Sequence, residues 1–222
     1  MKPKCIVLLS GGMDSAVALY WARKTFKTGI GLGIYYGQRH MKELDSSRAL
    51  CKEVGWTFIE KELLLDPICE SALTTDSLSL NYKKRGLPAS FVPGRNLFFL
   101  TVAGVIAYNE RFHHIVGGWN AVDFGGYPDC RENFLSVTTQ ALNEAFGLTK
   151  KDWITGQMHI HRPLVHKTKQ EIVEMGLELD VPFGLTWSCY EGGEKPCGKC
   201  NACKVRAKGF KQAGVVDPLL EV

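Results

Sequence analysis

The chain is 222 residues long, 45% hydrophobic and 23% charged, with a formal net charge of +4. That length fits one sizeable α/β domain or a domain with a small appendage, and a charge so small and so evenly spread gives no argument for a nucleic-acid partner. No apolar run reaches the roughly 18 residues of a membrane helix and "CIVLL" is too short for a signal peptide, so a cytoplasmic protein with no membrane partner is expected.

In chain order, β-branched apolar runs alternate with helix-periodic segments. "CIVLL" reads as a buried strand, Ser15 to Phe26 as a helix, "IGLGIYYG" as a strand, Met41 to Val54 as a helix and "WTFIEKELL" as a strand. Such alternation predicts an α/β fold with a doubly wound, mostly parallel sheet and right-handed crossovers. Asp66 to Pro93 lacks periodicity and carries Pro67, Pro88 and Pro93, so it is read as an irregular excursion and a candidate lid. A helix resumes over Asn96 to Asn109, with Leu97, Leu100, Val102, Ala103 and Ile106 as its expected buried face. "HHIVGGW" is a further strand, followed by a helix to about Phe146, a short strand near Met158 to Ile160, a helix opening at Thr168 and a last helix from about Ala202 to Ala213. The expected division is a nucleotide-binding domain over 1–187 and a small helical, metal-binding appendage over 188–222.

Between the first strand and the first helix stands Ser10-Gly11-Gly12-Met13-Asp14-Ser15. It fits neither the Walker loop nor the dinucleotide fingerprint. A glycine turn opening a helix still converges backbone N–H groups on one point, where the helix dipole favours an anion. Gly11 and Gly12 permit positive φ and close approach of an oxyanion, the Ser10 and Ser15 hydroxyls add donors, and Asp14 or Ser15 is expected to cap the helix. An acid beside a polyphosphate is repelled unless a divalent cation lies between them, which points to Mg²⁺ at Asp14. The plainer alternative is a tight strand-to-helix turn with a capping serine.

Near the C-terminus Cys189, Cys197, Cys200 and Cys203 are spaced C-x7-C-x2-C-x2-C, with Gly192, Gly193 and Gly198 to bend the chain. Four thiolates at two-residue spacings close tetrahedrally round one structural zinc; an iron–sulfur cluster is the competing occupant, since C-x2-C-x2-C also begins a ferredoxin pattern. Cys5, Cys51, Cys69 and Cys130 read as ordinary thiols. His159 and His161 fall on one strand face, but with no third ligand near them in sequence they are read as strand residues rather than a metal pair, and His113 and His114 as strand-edge residues.

Three polar stretches end predicted strands or open helices, where a parallel sheet binds its ligands: "YYGQRH", "FVPGRN" and "GWNAVDFGGYPDCR". "SGGMDS" resembles the pyrophosphate loop of the N-type ATP pyrophosphatases, which cleave ATP between its α and β phosphates. With "GYPDCR" and "CGKCNAC" added, the chain resembles the 7-cyano-7-deazaguanine synthase family from about Cys5 to Phe210. The resemblance implies that ATP, with Mg²⁺, activates 7-carboxy-7-deazaguanine as an adenylate. Ammonia then gives an amide, and a second adenylation gives the nitrile. It implies ATP contacts from Leu9, Ser10, Gly11, Gly12, Met13, Asp14, Ser15 and Arg39, and catalytic roles for Asp14, Arg95, Lys167 and Lys169, the two lysines unranked. Asn96, Asn120, Asp123, Tyr127, Asp129 and Arg131 are implied on the substrate, Cys189, Cys197, Cys200 and Cys203 on zinc, and the assembly as a homodimer with no direct nucleic-acid contact. Two departures stand out: Asn120-Ala121 where many family members read Glu-Thr, and Arg162, whose added guanidinium near the phosphate end would change the acceptor or stop the reaction at the amide. A tRNA-thiolating enzyme of the same superfamily is the main rival.

Overall fold

The computed structural model describes residues 3–65, 71, 73–74, 83–84, 86–88, 90–120, 127–148 and 156–220. Strand β1 (Lys4–Leu8) carries Cys5, Ile6 and Val7, all fully buried, because a strand covered on both faces must be apolar throughout. It pairs in parallel with β2 (Thr28–Tyr35), and β2 pairs in parallel with β3 (Thr57–Glu62). On its other side β1 pairs with the strand His114–Val116, which pairs in turn with the strand His159–His161. Between β3 and these two, Lys83–Lys84 (β4) and Leu87–Pro88 (β5) form a two-stranded antiparallel pair, so the strands at His114 and His159 are β6 and β7. The main sheet therefore runs β3-β2-β1-β6-β7 and is parallel throughout.

Helices lie on both faces. Helices α1 (Met13–Thr25) and α2 (Lys42–Val54) cover one face, joined by Ile172 and Val173 of the helix Lys169–Glu178 and by Phe210 of the helix Asn201–Gln212. The other face is covered by α3 (Arg95–Asn109) and α4 (Glu132–Ala145), which makes the Lys169 and Asn201 helices α5 and α6. The expected doubly wound sheet is the one found. Alternate glycines of β2 let α2 press close: a Cβ on Gly33 would lie 2.5 Å from the Phe58 ring and 2.8 Å from Leu44. Burial pushes the Cys5 and Cys51 thiols up to about 12, which fits two inert core cysteines. Cys69 and most of the candidate lid over Asp66 to Pro93 lie outside the described residues.

Two expectations need correction. Helix α3 buries Asn96, Leu100, Ala103, Gly104 and Ala107, while Leu97 is 45% exposed. Its sequence is apolar nearly all round, so periodicity could not select the inner face. The N-cap of α1 is Gly12, with no side-chain cap; Ser15 Oγ instead donates to the Gly12 carbonyl at 3.0 Å. Thr168 does cap α5, in a capping box with Glu171.

The C-terminal segment is anchored by a buried ion pair. Arg206 of α6, 4% exposed, donates to both Asp217 oxygens at 2.6 and 2.8 Å, to Thr186 Oγ1 at 2.6 Å and to the Phe183 carbonyl at 3.1 Å. Truncating one partner of such a pair strands the other charge in the core, at about 3–5 kcal/mol. Arg206→Met should therefore lower unfolding free energy by about that amount in a denaturant titration, and adding Asp217→Leu should recover most of it.

Candidate active site

Because β1 is flanked by β2 on one side and β6 on the other, the strand order reverses between β1 and β6, and the chain leaves the two strands in different directions. A cavity of about 290 Å³ opens at that point, lined by Leu8, Leu9, Ser10, Gly12 and Met13 from β1 and its loop and by Gly117, Gly118 and Trp119 after β6. Its volume sits at the lower end of the roughly 300–1,000 Å³ usual for small-molecule sites.

The glycine turn is tightly built. Gly11 has φ +79°, and a Cβ there would overlap the Glu43 carbonyl of α2. Gly12 is extended at φ −73°, so only one of the two glycines needs the left-handed region. Gly118 was not singled out from sequence: a Cβ on it would come within 2.8 Å of the Asp14 carbonyl, and its absence lets the loop after β6 press onto the first turn of α1.

Asp14 is the centre of the charge arrangement. Its Oδ2 accepts from Lys169 Nζ at 2.5 Å and from Asn120 Nδ2 at 3.3 Å, whereas Oδ1 is buried with no hydrogen-bond partner among the described residues. An orphaned carboxylate oxygen beside a glycine turn fits a hard divalent cation. Lys169, 10% exposed, is carried to Asp14 by the first turn of α5; neither it nor Lys167 lines the cavity itself.

Above this floor Arg95 opens α3. Burial alone works against its charge, but Tyr36, Asp129 and Tyr127 around it hold its pKa above the ordinary arginine value. Its guanidinium lies over Tyr36 and Phe99, 5.5 and 5.9 Å from the ring centroids. Glu43 reaches the same wall; burial pushes it up to about 7, with Arg95 pulling the other way. Glu43, Tyr36 and Trp119 all line the cavity; Tyr36 and Trp119 fall within the stretches "YYGQRH" and "GWNAVDFGGYPDCR", whereas Glu43 carried no motif signal.

Of the other sequence-selected residues, Arg39, Asn96 and Tyr127 line the cavity, and Tyr127 shares a 2.7 Å hydrogen bond with Ser90 Oγ. Asp129 and Arg131 do not. The Asp129 carboxylate accepts the Asn96 backbone N–H at 3.1 Å, serving as an acid at the N-terminus of α3, and Arg131 is the exposed N-cap position of α4. Asn120 is fully buried behind Asp14. Asp123 lies outside the described residues. Arg162 is absent from the lining and is paired with Glu132 at 3.0 Å.

The four-cysteine cluster abuts this cavity. The sulfurs of Cys189, Cys197, Cys200 and Cys203 all lie within 4.8 Å of one another. Backbone N–H groups point at them: Cys197 N to Cys189 Sγ at 3.3 Å, and Lys199 N and Cys200 N to Cys197 Sγ at 3.4 Å. Burial would raise the Cys197 thiol, yet the Cys200 and Lys199 amides bring it down to about 7. Four soft donors gathered with amides turned toward their sulfurs fit a thiolate-bound metal. The cluster is tied to the cavity by the Trp187 N–H on the Gly11 carbonyl at 2.8 Å and by His40 Nε2 with the Cys189 carbonyl at 3.0 Å.

A parallel sheet with this turn, acid and lysine at its switch point defines a doubly wound α/β protein with a ligand crevice at the carboxyl ends of its strands. At the level of fold it resembles the solved NMN synthetase from Francisella tularensis, with a TM-score of 0.52 at 18% identity over 99% of this chain and 81% of that one. The chain belongs to the family described as Queuosine biosynthesis protein QueC, whose match runs over residues 4–214. Proteins named 7-cyano-7-deazaguanine synthase from Thermoplasma acidophilum and Chromobacterium violaceum are each 40% identical to it, over 98% of this chain and 92% and 93% of theirs. One from Nitratiruptor sp. is 39% identical over 97% of both chains. Among the described residues no helix is long and apolar enough to cross a membrane.

Proposed function

We propose that this chain converts 7-carboxy-7-deazaguanine and ammonia to 7-cyano-7-deazaguanine, using two ATP and releasing two AMP and two pyrophosphates. The observation that carries the reading is Asp14, held by Lys169 and Asn120 at the β1–β6 crevice with its other oxygen unpartnered among the described residues. A carboxylate is a poor electrophile, and adenylation replaces oxide with AMP as the leaving group. Ammonia displaces AMP to give the amide; adenylation of the amide oxygen then lets AMP depart as the C–N triple bond forms. The two oxygens of the acid leave on the two AMPs.

In this scheme Ser10, Gly11, Gly12 and Ser15 donate to the departing phosphates, Leu9, Met13 and Arg39 frame the nucleotide, and Lys169 and Arg95 face the charge that develops on it. Asp14 would hold Mg²⁺, which would neutralise charge on the polyphosphate. Asn96 and Tyr127 contact the substrate, with Asp123 proposed for the guanine-like edge. Asn120 positions Asp14 and Asp129 positions Asn96, so neither needs to touch a ligand. The compact four-thiolate cluster, with no open ligand position, favours this reading over a thiolation enzyme, whose sulfur-carrying cysteine must be free to react. The decisive experiment incubates the protein with ATP, Mg²⁺, ammonium and 7-carboxy-7-deazaguanine and follows AMP and product mass. Substrate-dependent AMP with a nitrile supports the proposal; an amide end point would restrict it to the first half, and no substrate-dependent AMP would reject it.

We further propose that the four cysteines hold one structural zinc, that 188–222 forms a distinct segment packed on 1–187, and that the protein works in the cytoplasm as a homodimer. The dimer has a physical motive: Leu97, Phe98, Val105 and Tyr108 of α3 and Val137 of α4 are each 40–54% exposed. A second copy covering this face makes Val105→Glu expected to shift the light-scattering mass from dimer to monomer while leaving the far-ultraviolet circular dichroism unchanged.

A further inference from the structure

We propose that His114, His159 and His161 form a second metal site, for a divalent first-row transition ion such as Zn²⁺ or Ni²⁺, separate from the four-cysteine centre. The arrangement follows from strand geometry. His159 and His161 stand two residues apart on edge strand β7 and therefore share a face. The parallel register sets His114 of β6 against His159, and Val116 against His161, which brings a third imidazole onto that same face. Sequence alone could not supply it, because 45 residues separate His114 from His159.

One pair, His114 and His161, already has the spacing of ligands sharing an ion. With metal–nitrogen bonds of about 2.0–2.1 Å, two imidazoles at a tetrahedral angle place their ring centroids roughly 5.2 Å apart and their bound nitrogens roughly 3.4 Å apart. Here the centroids of His114 and His161 are 5.1 Å apart and those of His114 and His159 5.6 Å. His114 Nδ1 and His161 Nε2 already face each other at 3.0 Å. One of those nitrogens must be an unprotonated acceptor, so an ion would take the place of the shared proton at a point both rings address. The third pair, His159 and His161, is wider at 6.4 Å, and the exposed His159, whose ring stacks on His114 at 20°, must turn to bring a nitrogen to that point.

The surroundings suit a borderline cation held by neutral nitrogen. Phe26 lies 5.1 and 5.4 Å from the His114 and His161 rings, and Trp21 lies 5.9 Å from His161, forming an apolar wall. Arg162, the nearest cation to His161, is ion-paired with Glu132. On the open side the exposed His159 provides the entry path, and a fourth position is left for water. His113 sits beside the group with its Nδ1 buried and lacking a hydrogen-bond partner among the described residues. None of these histidines lines the cavity, so the ion would staple edge strand β7 to β6 rather than take part in the chemistry.

The test uses the full chain without a histidine tag, its cysteine centre loaded with zinc, titrated with Ni²⁺ by calorimetry while a chromophoric chelator reports released zinc. The expected result is one equivalent of Ni²⁺ bound without zinc release, and a higher thermal midpoint in the bound form. His159→Asn, at an exposed position, should weaken that binding at least roughly tenfold while leaving the metal-free midpoint and the ATP-dependent activity unchanged. His161→Asn should do the same to binding, which keeps the test informative if either variant folds poorly. Absence of uptake, uptake matched by zinc release, or wild-type affinity in both variants would overturn the site.

Discussion

Asp14→Asn is expected to lower the rate of substrate-dependent AMP release by about 10²–10³-fold, with Lys169→Met close behind, while both variants keep the far-ultraviolet spectrum of the parent. The reasoning starts from the charge at the turn. Asp14 and Lys169 meet at 2.5 Å where Asp14 lines the cavity, and the Asp14 carboxylate retains one buried oxygen with no partner among the described residues. An asparagine keeps the volume and can still bond Asn120, but it cannot hold a hard cation against polyphosphate. Methionine at 169 keeps the stem and removes the positive end that faces charge developing on the phosphoryl group. Since both act on one site, the double variant should lose little more than the worse single change. Lys167→Met is the internal control: Lys169 carries the ion pair to Asp14, and the expected change on replacing Lys167 is less than about twofold. A Lys169→Met protein that folds and turns over normally would remove Lys169 from the phosphate site.

The contrast between the two lysines shows what the sequence could carry. The Ser10–Ser15 turn and the four cysteines were legible because their ligand atoms are set by spacing along a short stretch of chain. Strands β1 and β2 were legible because burial on both faces demands near-unbroken apolar runs, the exposed edge strand β3 because of its β-branched and aromatic residues, and the helices because their starts and stops are local. Ranking Lys169 above Lys167 required knowing which way the first turn of α5 points. Asp129 was legible as a functional acid, but its partner is the backbone of Asn96, 33 residues earlier, so its polarity was read as ligand contact. Glu43 was invisible because an acid near the start of an amphipathic helix is ordinary; only its burial in the folded protein raises it to about 7, against the pull of Arg95. Neither Gly118 nor His114 declares a purpose until another strand or helix is placed against it.

Removing the metal from the four-cysteine centre is expected to cost both stability and ATP affinity, although no cysteine of the cluster is placed on a reacting atom. If the ion is bound at about a thousand times its dissociation constant, mass action alone lends the folded state about 4 kcal/mol, and chelation withdraws it. The loss should be local first. Helix α6 remains pinned by Arg206 on Asp217 and by Phe210 against Phe183, 5.1 Å between ring centroids, so the core does not depend on the ion. Residues 187–200 do depend on it, since their sulfurs and amides are ordered around one point. That stretch carries Trp187, whose N–H holds the Gly11 carbonyl and whose ring lies 4.5 Å from Lys42 Nζ. Releasing it frees the glycine turn and the start of α2 together, and the phosphate site loses its preorganisation. Chelated protein, or Cys197→Ser with Cys200→Ser, should accordingly show new protease cuts within 187–200, a lower thermal midpoint and a raised KM for ATP, all reversed by metal in the chelated case alone. An unchanged KM with the metal gone would mean that the cluster and the ATP turn are mechanically independent despite the hydrogen bond that joins them.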